Sequence, residues 1–171
     1  MHSPWVQADP ALPTRWTQIA SPVGELLLTR RGEALTGVTF APFSAPALGT
    51  RDDDAFDDVT SQLEAYFTGE RTDFDLPLAP RGTPFQLAVW AALLEIPYGQ
   101  TCSYGQLAAR IGLPHASRAV GAANGSNPLP IVVACHRVIG ASGKLTGYGG
   151  GLDRKRLLLD LESAAPPLLR V

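Results

Sequence analysis

Cysteine is scarce in this chain: Cys102 and Cys135 are the only two in 171 residues. Two thiols cannot build a disulfide framework, and they lack the paired spacing of a structural zinc site, so no metal is expected. Long hydrophobic runs are absent too. No apolar stretch approaches the length that spans a bilayer, so no membrane role is expected. The opening "MHSPWVQADPALPTRW" has no basic region followed by an apolar core, which reads as a chain without a secretory signal. A reducing cytoplasm is the expected location. No internal repeat is evident.

Charge is sparse as well, at 18% of residues and a net −2, but it is unevenly divided. Residues 1–80 carry five Lys/Arg and twelve Asp/Glu, net −7, whereas residues 81–171 carry nine and four, net +5. Two domains are therefore expected, 1–80 and 81–171, with the second facing something anionic.

Apolar residues make up 45% of the chain, enough for a sizeable core. "TRWTQIA", "GELLLTRR" and "ALTGVTF" read as strands in antiparallel hairpins. "APFSAPALGTR" reads as loop, and "FDLPLAPRGTP" as a short strand with a linker. Residues 53–68 have helical spacing, with Phe56, Val59, Leu63, Tyr66 and Phe67 on the apolar face. The aspartates 52–54, 57 and 58 fall at that helix start, where the dipole favours them, and need no catalytic role.

In the second half, Thr83 with Gln86 and Ser103 with Gln106 have capping-box spacing. They predict helices through "FQLAVWAALLEI" and "YGQLAARIG". A further helix, "ASRAVGAAN", follows after a tight turn, which makes a helix-turn-helix pattern. Its only charge is Arg118, and Ala119, Gly121, Ala122 and Ala123 leave one face nearly bare. A bare face suits either close helix packing or entry into a narrow groove; Arg118 favours the groove. "GASGKLTGYGGG" lacks the spacing and the Lys-Ser/Thr ending of a phosphate loop, which excludes nucleotide binding there. "LDRKRLLLDLE" reads as a last helix with Leu157, Leu158 and Leu161 as its apolar side.

The run Ile131–Ala134 reads as a buried strand that delivers Cys135, His136 and Arg137. A thiolate nucleophile needs a base or positive neighbours. Adjacent residues on an extended strand point to opposite faces, so a direct Cys135–His136 pair requires a turn or a bridging water. The residues alone leave a buried inert cysteine and a nucleophile equally open.

A resemblance separates them. "IVVACHRVIGASGKLTGYGGGLDRKRLLLDLE", "TPFQLAVWAALLEIPYGQTCSYGQLAARIG" and "ASRAVGAANGSNPLPI" resemble, in the same order, segments of the O6-alkylguanine-DNA alkyltransferases; "SPVGELLLTRRGEALTGVTF" resembles their N-terminal sheet. The likeness spans roughly residues 15–163. It implies an α+β chain. A ribonuclease-H-like domain with an antiparallel sheet would precede a mainly helical, winged-helix-like domain that carries the chemistry. The family's usual proline before the cysteine is Ala134 here, and its frequent serine after the loop tyrosine is Gly149. No cysteine-rich metal-binding extension is present.

The resemblance also implies function and roles. The alkyl group on guanine O6, and on thymine O4, passes irreversibly to Cys135 after the nucleotide is flipped out of duplex DNA. Glu162 orients His136, and His136 takes the thiol proton through a water. Tyr104 presses on the rotating phosphate and serves the departing base. The helix holding Ser117, Arg118, Ala119, Gly121 and Ala122 enters the minor groove, with Arg118 filling the space of the flipped base. Asn127, Arg137, Val138, Tyr148, Gly149 and Gly150 shape the pocket, with Arg137 bracing neighbouring backbone or an interdomain face. No cofactor is needed, since the DNA is the alkyl donor. The protein is expected to be a monomer in solution, with cooperativity on DNA left open. The rival readings are a non-catalytic helix-turn-helix sensor of alkylated DNA, which would not need Cys135, His136 and Glu162 together, and a cysteine hydrolase indifferent to DNA.

Overall fold

The computed structural model describes residues 2–46 and 49–163. The chain divides into two compact units, Met1–Arg81 and Gly82–Val171.

The first unit is a four-stranded sheet with one helix. Strands β1 (Thr14–Ile19), β2 (Leu26–Arg31) and β3 (Ala34–Phe40) form the two antiparallel hairpins. The sheet order is β3-β2-β1-β4, and β4 (Thr50–Arg51) pairs parallel to β1. This short strand lies at the end of a segment whose composition reads as loop. Residues 74–84 form no strand; Leu78 makes only an isolated bridge to Leu35. The stretch after Asp52 opens as a 3-10 turn, Asp53–Phe56, and only then becomes helix α1 (Asp57–Phe67). Its Phe56, Val59, Leu63 and Tyr66 are buried.

Arg30 shares a face of β2 with Leu26 and Leu28 and is equally buried. A buried guanidinium requires partners. Its Nη1 donates to Asp58 at 2.8 Å, Nη2 donates to the Glu33 carbonyl at 2.6 Å, and the Phe56 ring lies 5.4 Å from the guanidinium carbon. Asp58 is therefore more than a solvated helix-start residue: it neutralises an arginine inside this core.

The second unit is mainly helical: α2 (Pro84–Leu93), α3 (Tyr104–Arg110), α4 (Ser117–Gly125) and α5 (Leu152–Ser163). A parallel two-strand ladder joins β5 (Cys102–Ser103) to β6 (Val138–Ile139). Both capping boxes form. The Thr83 and Ser103 hydroxyls accept from the backbone N–H of Gln86 and Gln106, whose side chains return the bond. Helices α2 and α4 are pinned by Trp90, whose indole N–H donates to the Ala123 carbonyl at 2.8 Å. Gly82 leaves room for that ring: a Cβ there would lie 2.6 Å from it. The turn between α3 and α4 uses Gly112 at φ +79°, a conformation that costs glycine little.

Two expectations need correction. Ile131–Ala134 is not a strand. It is a turn in which every residue from Leu129 to Val138 is buried. A short apolar run does not distinguish a buried strand from a buried turn, and Pro128 and Pro130 favour the turn. On α5, Leu157 is 38% exposed; the inward line is Lys155, Leu158 and Glu162, one helical face at spacings of three and four.

Ser103 sets where α3 begins, and hence the position of Tyr104. Ser103→Ala is expected to lower stability by about 1 kcal/mol, read as an earlier denaturant midpoint.

Candidate active site

The site is assembled from the turn before α5, the inner face of α5, and the loop between β6 and α5. Cys135–Arg137 is a single 3-10 turn. It is preceded by Ala134 at φ −78°, ψ 62°, an inverse γ-turn closed by the Cys135 N–H on the Val133 carbonyl at 2.8 Å. Upstream, Ile131 has φ +73°, strained for a β-branched residue. Asn127 holds this hook. Its Nδ2 donates to the Val133 carbonyl at 2.8 Å, and its Oδ1 accepts from the Leu129 N–H at 2.9 Å. The turn places three consecutive reactive side chains where an extended strand would alternate them.

His136 and Glu162 are both at most 1% exposed, and Nε2 of His136 lies 2.8 Å from Oε1 of Glu162. Arg137 completes the cluster. Its Nε reaches both Glu162 oxygens at 3.1 and 3.0 Å, Nη2 reaches Oε1 at 2.8 Å, and Nη1 donates to the Ile96 carbonyl at 2.6 Å. Arg137 thus braces backbone, and it also holds Glu162 directly, a contact absent from the sequence reading. Burial pushes the Glu162 carboxyl up, but hydrogen bonds from His136 and Arg137 and the charge of Arg137 outweigh it and hold it at about 2. The carboxylate is ionised, so His136 presents N–H to it through Nε2, and Nδ1 is left as an acceptor. Burial lowers the His136 pKa against the pull of Glu162, which keeps the ring neutral and able to accept a proton.

Cys135 is 3% exposed. Burial raises its thiol pKa, opposed by hydrogen bonds from Asn127 and Tyr148 and by the charge of Lys155. The resting sulfur is a protonated thiol. No direct hydrogen bond joins it to His136, whose Nδ1 has no protein partner.

Lys155 sits in the basic run "DRKR", where the sequence alone suggests an exposed cation. It is fully buried. Its Nζ donates to the Thr146 carbonyl at 2.8 Å and lies 6.0 Å from the Tyr104 ring centroid. The Tyr104 hydroxyl donates to that same carbonyl at 3.0 Å. Burial lowers the Lys155 pKa, and the nearby Cys135 offsets this.

An open cavity of about 550 Å³ shares Tyr104, Thr146 and Tyr148 with this neighbourhood, while Cys135 itself is not among its lining residues. The cavity is lined by Tyr104 of α3, by Ser117, Arg118, Gly121 and Gly125 of α4, and by Thr146, Gly147, Tyr148 and Gly149 of the loop before α5. Tyr148 walls the cavity and is among the groups that oppose the upward shift of the Cys135 thiol. Gly149 sits close to α4, where a Cβ would meet the Gly125 carbonyl at 3.4 Å. Gly150 accepts from Arg154 at 3.1 Å, and Val138 starts β6 opposite Cys102. On α4, Val120, Ala123 and Asn124 face inward, whereas Arg118, Ala119 and Ala122 are exposed. The small residues thus divide: Ala119 and Ala122 lie on the surface, whereas Ala123, expected on the same bare face, packs inward. Cys102 is buried in β5, and burial raises its pKa. Among the described residues, no cluster of three or more His, Cys, Asp or Glu is placed to hold a metal. No helix among them is long and apolar enough to cross a membrane.

Residues 84–164 match the family 6-O-methylguanine DNA methyltransferase, DNA binding domain, and residues 14–80 match its ribonuclease-like domain. The chain belongs to the O6-alkylguanine-DNA alkyltransferase family. Two relatives, each called methylated-DNA–protein-cysteine methyltransferase, extend the alkyltransferase likeness. The one from Mycobacterium tuberculosis is 55% identical over 154 residues, covering 87% of this chain and 92% of that protein. The one from Methanosarcina acetivorans is 52% identical over 148 residues, covering 84% and 95%. The crystal structure of Mycobacterium tuberculosis OGT in complex with DNA superposes with a TM-score of 0.85 at 54% identity, covering 91% of this chain and 96% of that one. The two-part fold, sheet domain first and helical domain second, is that of this alkyltransferase family.

Two outcomes follow from the geometry. Glu162 has a folded-state pKa of about 2 against an ordinary 4.5, so it stabilises the fold above pH 4.5 and loses that contribution as pH falls toward 2. Acid titration of stability should show a loss of a few kcal/mol across this window, and Glu162→Gln should flatten it. The Ala134 φ suits proline, and its N–H makes no hydrogen bond within the described structure. Ala134→Pro is expected to raise stability by about 0.4–1 kcal/mol in thermal melts, by restricting the unfolded chain.

Proposed function

We propose that this protein repairs alkylated DNA by direct reversal, moving the alkyl group from guanine O6 to the sulfur of Cys135. The observation that carries this reading is the buried Glu162–His136 pair, its histidine on the same 3-10 turn as the buried Cys135 thiol, next to a cavity walled by Tyr104 and Tyr148. A DNA-binding sensor has no use for a buried base held neutral beside a buried thiol.

The steps follow from the groups present. A flipped guanine enters the cavity, at a cost of a few kcal/mol in lost stacking. His136 takes the Cys135 proton by way of a water, and Glu162 stabilises the imidazolium that forms. The sulfur electron pair makes the S–C bond as the C–O6 bond breaks in line. Charge left on the guanine is met by the Tyr104 hydroxyl, which exchanges its bond to Thr146 for one to the base. The buried Lys155 ammonium lies near both the sulfur and the Tyr104 ring, so it stabilises the negative charge at each end of the transfer. The thioether product has no leaving path, so each molecule acts once. No cofactor enters the balance, since the DNA supplies the alkyl group. O4-alkylthymine presents the same bond type to the same sulfur.

DNA meets the exposed face of α4. Ala119 and Ala122 leave the helix slim enough for a minor groove, and Arg118 at the cavity rim takes the place of the everted base. Ser117, at the start of the helix, and Gly121, beside the Tyr104 ring, let the backbone approach closely. Asn127, Arg137 and Val138 hold the turn, and Tyr148, Gly149 and Gly150 form the wall. The protein acts as a monomer in the cytoplasm.

The test is mass spectrometry after incubation with an O6-methylguanine duplex. A gain of about 14 Da on Cys135 is expected, as S–H becomes S–CH3 with a net gain of one methylene. Cys135→Ser should abolish transfer and keep DNA affinity; an unmodified, reduced wild-type protein that still binds the duplex would instead identify a sensor. Arg118→Ala should slow transfer from duplex about tenfold or more while changing reaction with free O6-alkylguanine little, because only the duplex requires flipping.

A further inference from the structure

Two buried polar atoms beside the reacting residues lack a protein partner: Nδ1 of His136 and Oδ1 of Asn124. Asn124 is 2% exposed, on the inner side of α4. Its Nδ2 donates to the Cys135 carbonyl at 3.3 Å, so the amide lies against the peptide bond that joins Cys135 to His136. A carbonyl only accepts, which fixes the orientation: nitrogen toward Cys135, oxygen away. His136 Nδ1 is also an acceptor, because Nε2 presents its hydrogen to Glu162. Two buried acceptors are costly without a donor, and one water can serve both by giving a hydrogen to each.

We propose that Asn124 is a positioning residue for alkyl transfer, its Oδ1 sharing with His136 Nδ1 a single buried water that serves the Cys135 thiol. Both hydrogens of that water are then committed, and its lone pairs are turned to the sulfur. The S–H proton can move only onto this oxygen, as one water hydrogen moves to His136 Nδ1. The water is regenerated, the imidazolium is held by Glu162, and the sulfur pair forms the S–C bond as the C–O6 bond breaks. Without the Asn124 oxygen, the water can turn a hydrogen toward the sulfur and stall the relay. This role rests on the alkyl-transfer reading above.

The site offers a clean discrimination because Asn124 is neutral. The other groups facing the thiol are Asn127, Tyr148 and Lys155, and those facing His136 are Glu162, Arg137 and Lys155. Replacing Asn124 by leucine changes none of their charges. A shift in the pH dependence of transfer then reports the lost water orientation, which a merely structural asparagine would not produce.

The experiment uses the full chain with Cys102→Ala, so that Cys135 is the sole thiol. Single-turnover transfer from O6-methylguanine duplex is followed against pH, with thiolate ultraviolet absorbance and duplex affinity measured in parallel. Asn124→Leu is expected to bind duplex as the parent does, to transfer about tenfold or more slowly, and to show its half-maximal rate at higher pH. Asn124→Asp keeps donor and acceptor while protonated, so it should recover the parental rate at acid pH and lose it as that carboxyl ionises. Asn124→Leu with the parental rate and pH midpoint overturns the proposal. So does Asn124→Asp behaving like the leucine variant at every pH. Should Asn124→Leu fail to fold, the aspartate profile decides alone. If the parent transfers nothing, the functional reading fails, and the thiolate absorbance still shows whether Asn124 governs ionisation of Cys135.

Discussion

The second unit depends on one buried carboxylate. Glu162 accepts from His136 and from two nitrogens of Arg137, and it is held ionised by them. Removing it would strand a guanidinium in the core, at a cost well above that of an ordinary surface pair. The same contact ties the end of α5 to the turn that carries Cys135. Stability and chemistry are thus served by a single interaction. The carboxylate fixes which imidazole nitrogen is protonated and so directs the accepting nitrogen away from itself.

The thiol is treated in the opposite way. Burial disfavours its ionisation, and only partial help comes from Asn127, Tyr148 and Lys155. A permanently exposed thiolate would react with any electrophile in a cell, and here each reaction consumes the molecule. Keeping the sulfur protonated until the cavity is filled confines its reactivity to the moment when a carbon is positioned in front of it.

Much of the architecture is legible locally. The boxes at Thr83 and Ser103 rest on a side chain and a backbone group three residues apart, so spacing alone locates two helix starts. The hairpins of the first unit follow from apolar runs between glycine turns. The roles of Cys135, His136 and Glu162 came from family likeness; Glu162 is distant in sequence, and no local rule links it to His136. Buried polar groups were the blind spot. Lys155 lies in a basic run and Asn124 among alanines, so both look exposed until the fold turns them inward. The turn at Ile131–Ala134 resembles a strand in sequence for a related reason. Its backbone is satisfied by the Asn127 amide and by single hydrogen bonds, an arrangement with no periodic signature. Leu157 misled in the other direction, because three successive leucines cannot all face one side of a helix.

Helix α5 carries its two buried charges seven positions apart on one face, two turns of the helix. Lys155 grips the loop at Thr146, which lines the 550 Å³ cavity, and Glu162 grips His136. The helix is therefore a shared backstop for binding and for proton removal. A tilt of α5 that widens the cavity for a bulkier alkyl group also draws the carboxylate along the imidazole. On the proposed function, breadth of substrate and speed of reaction are thereby coupled through α5.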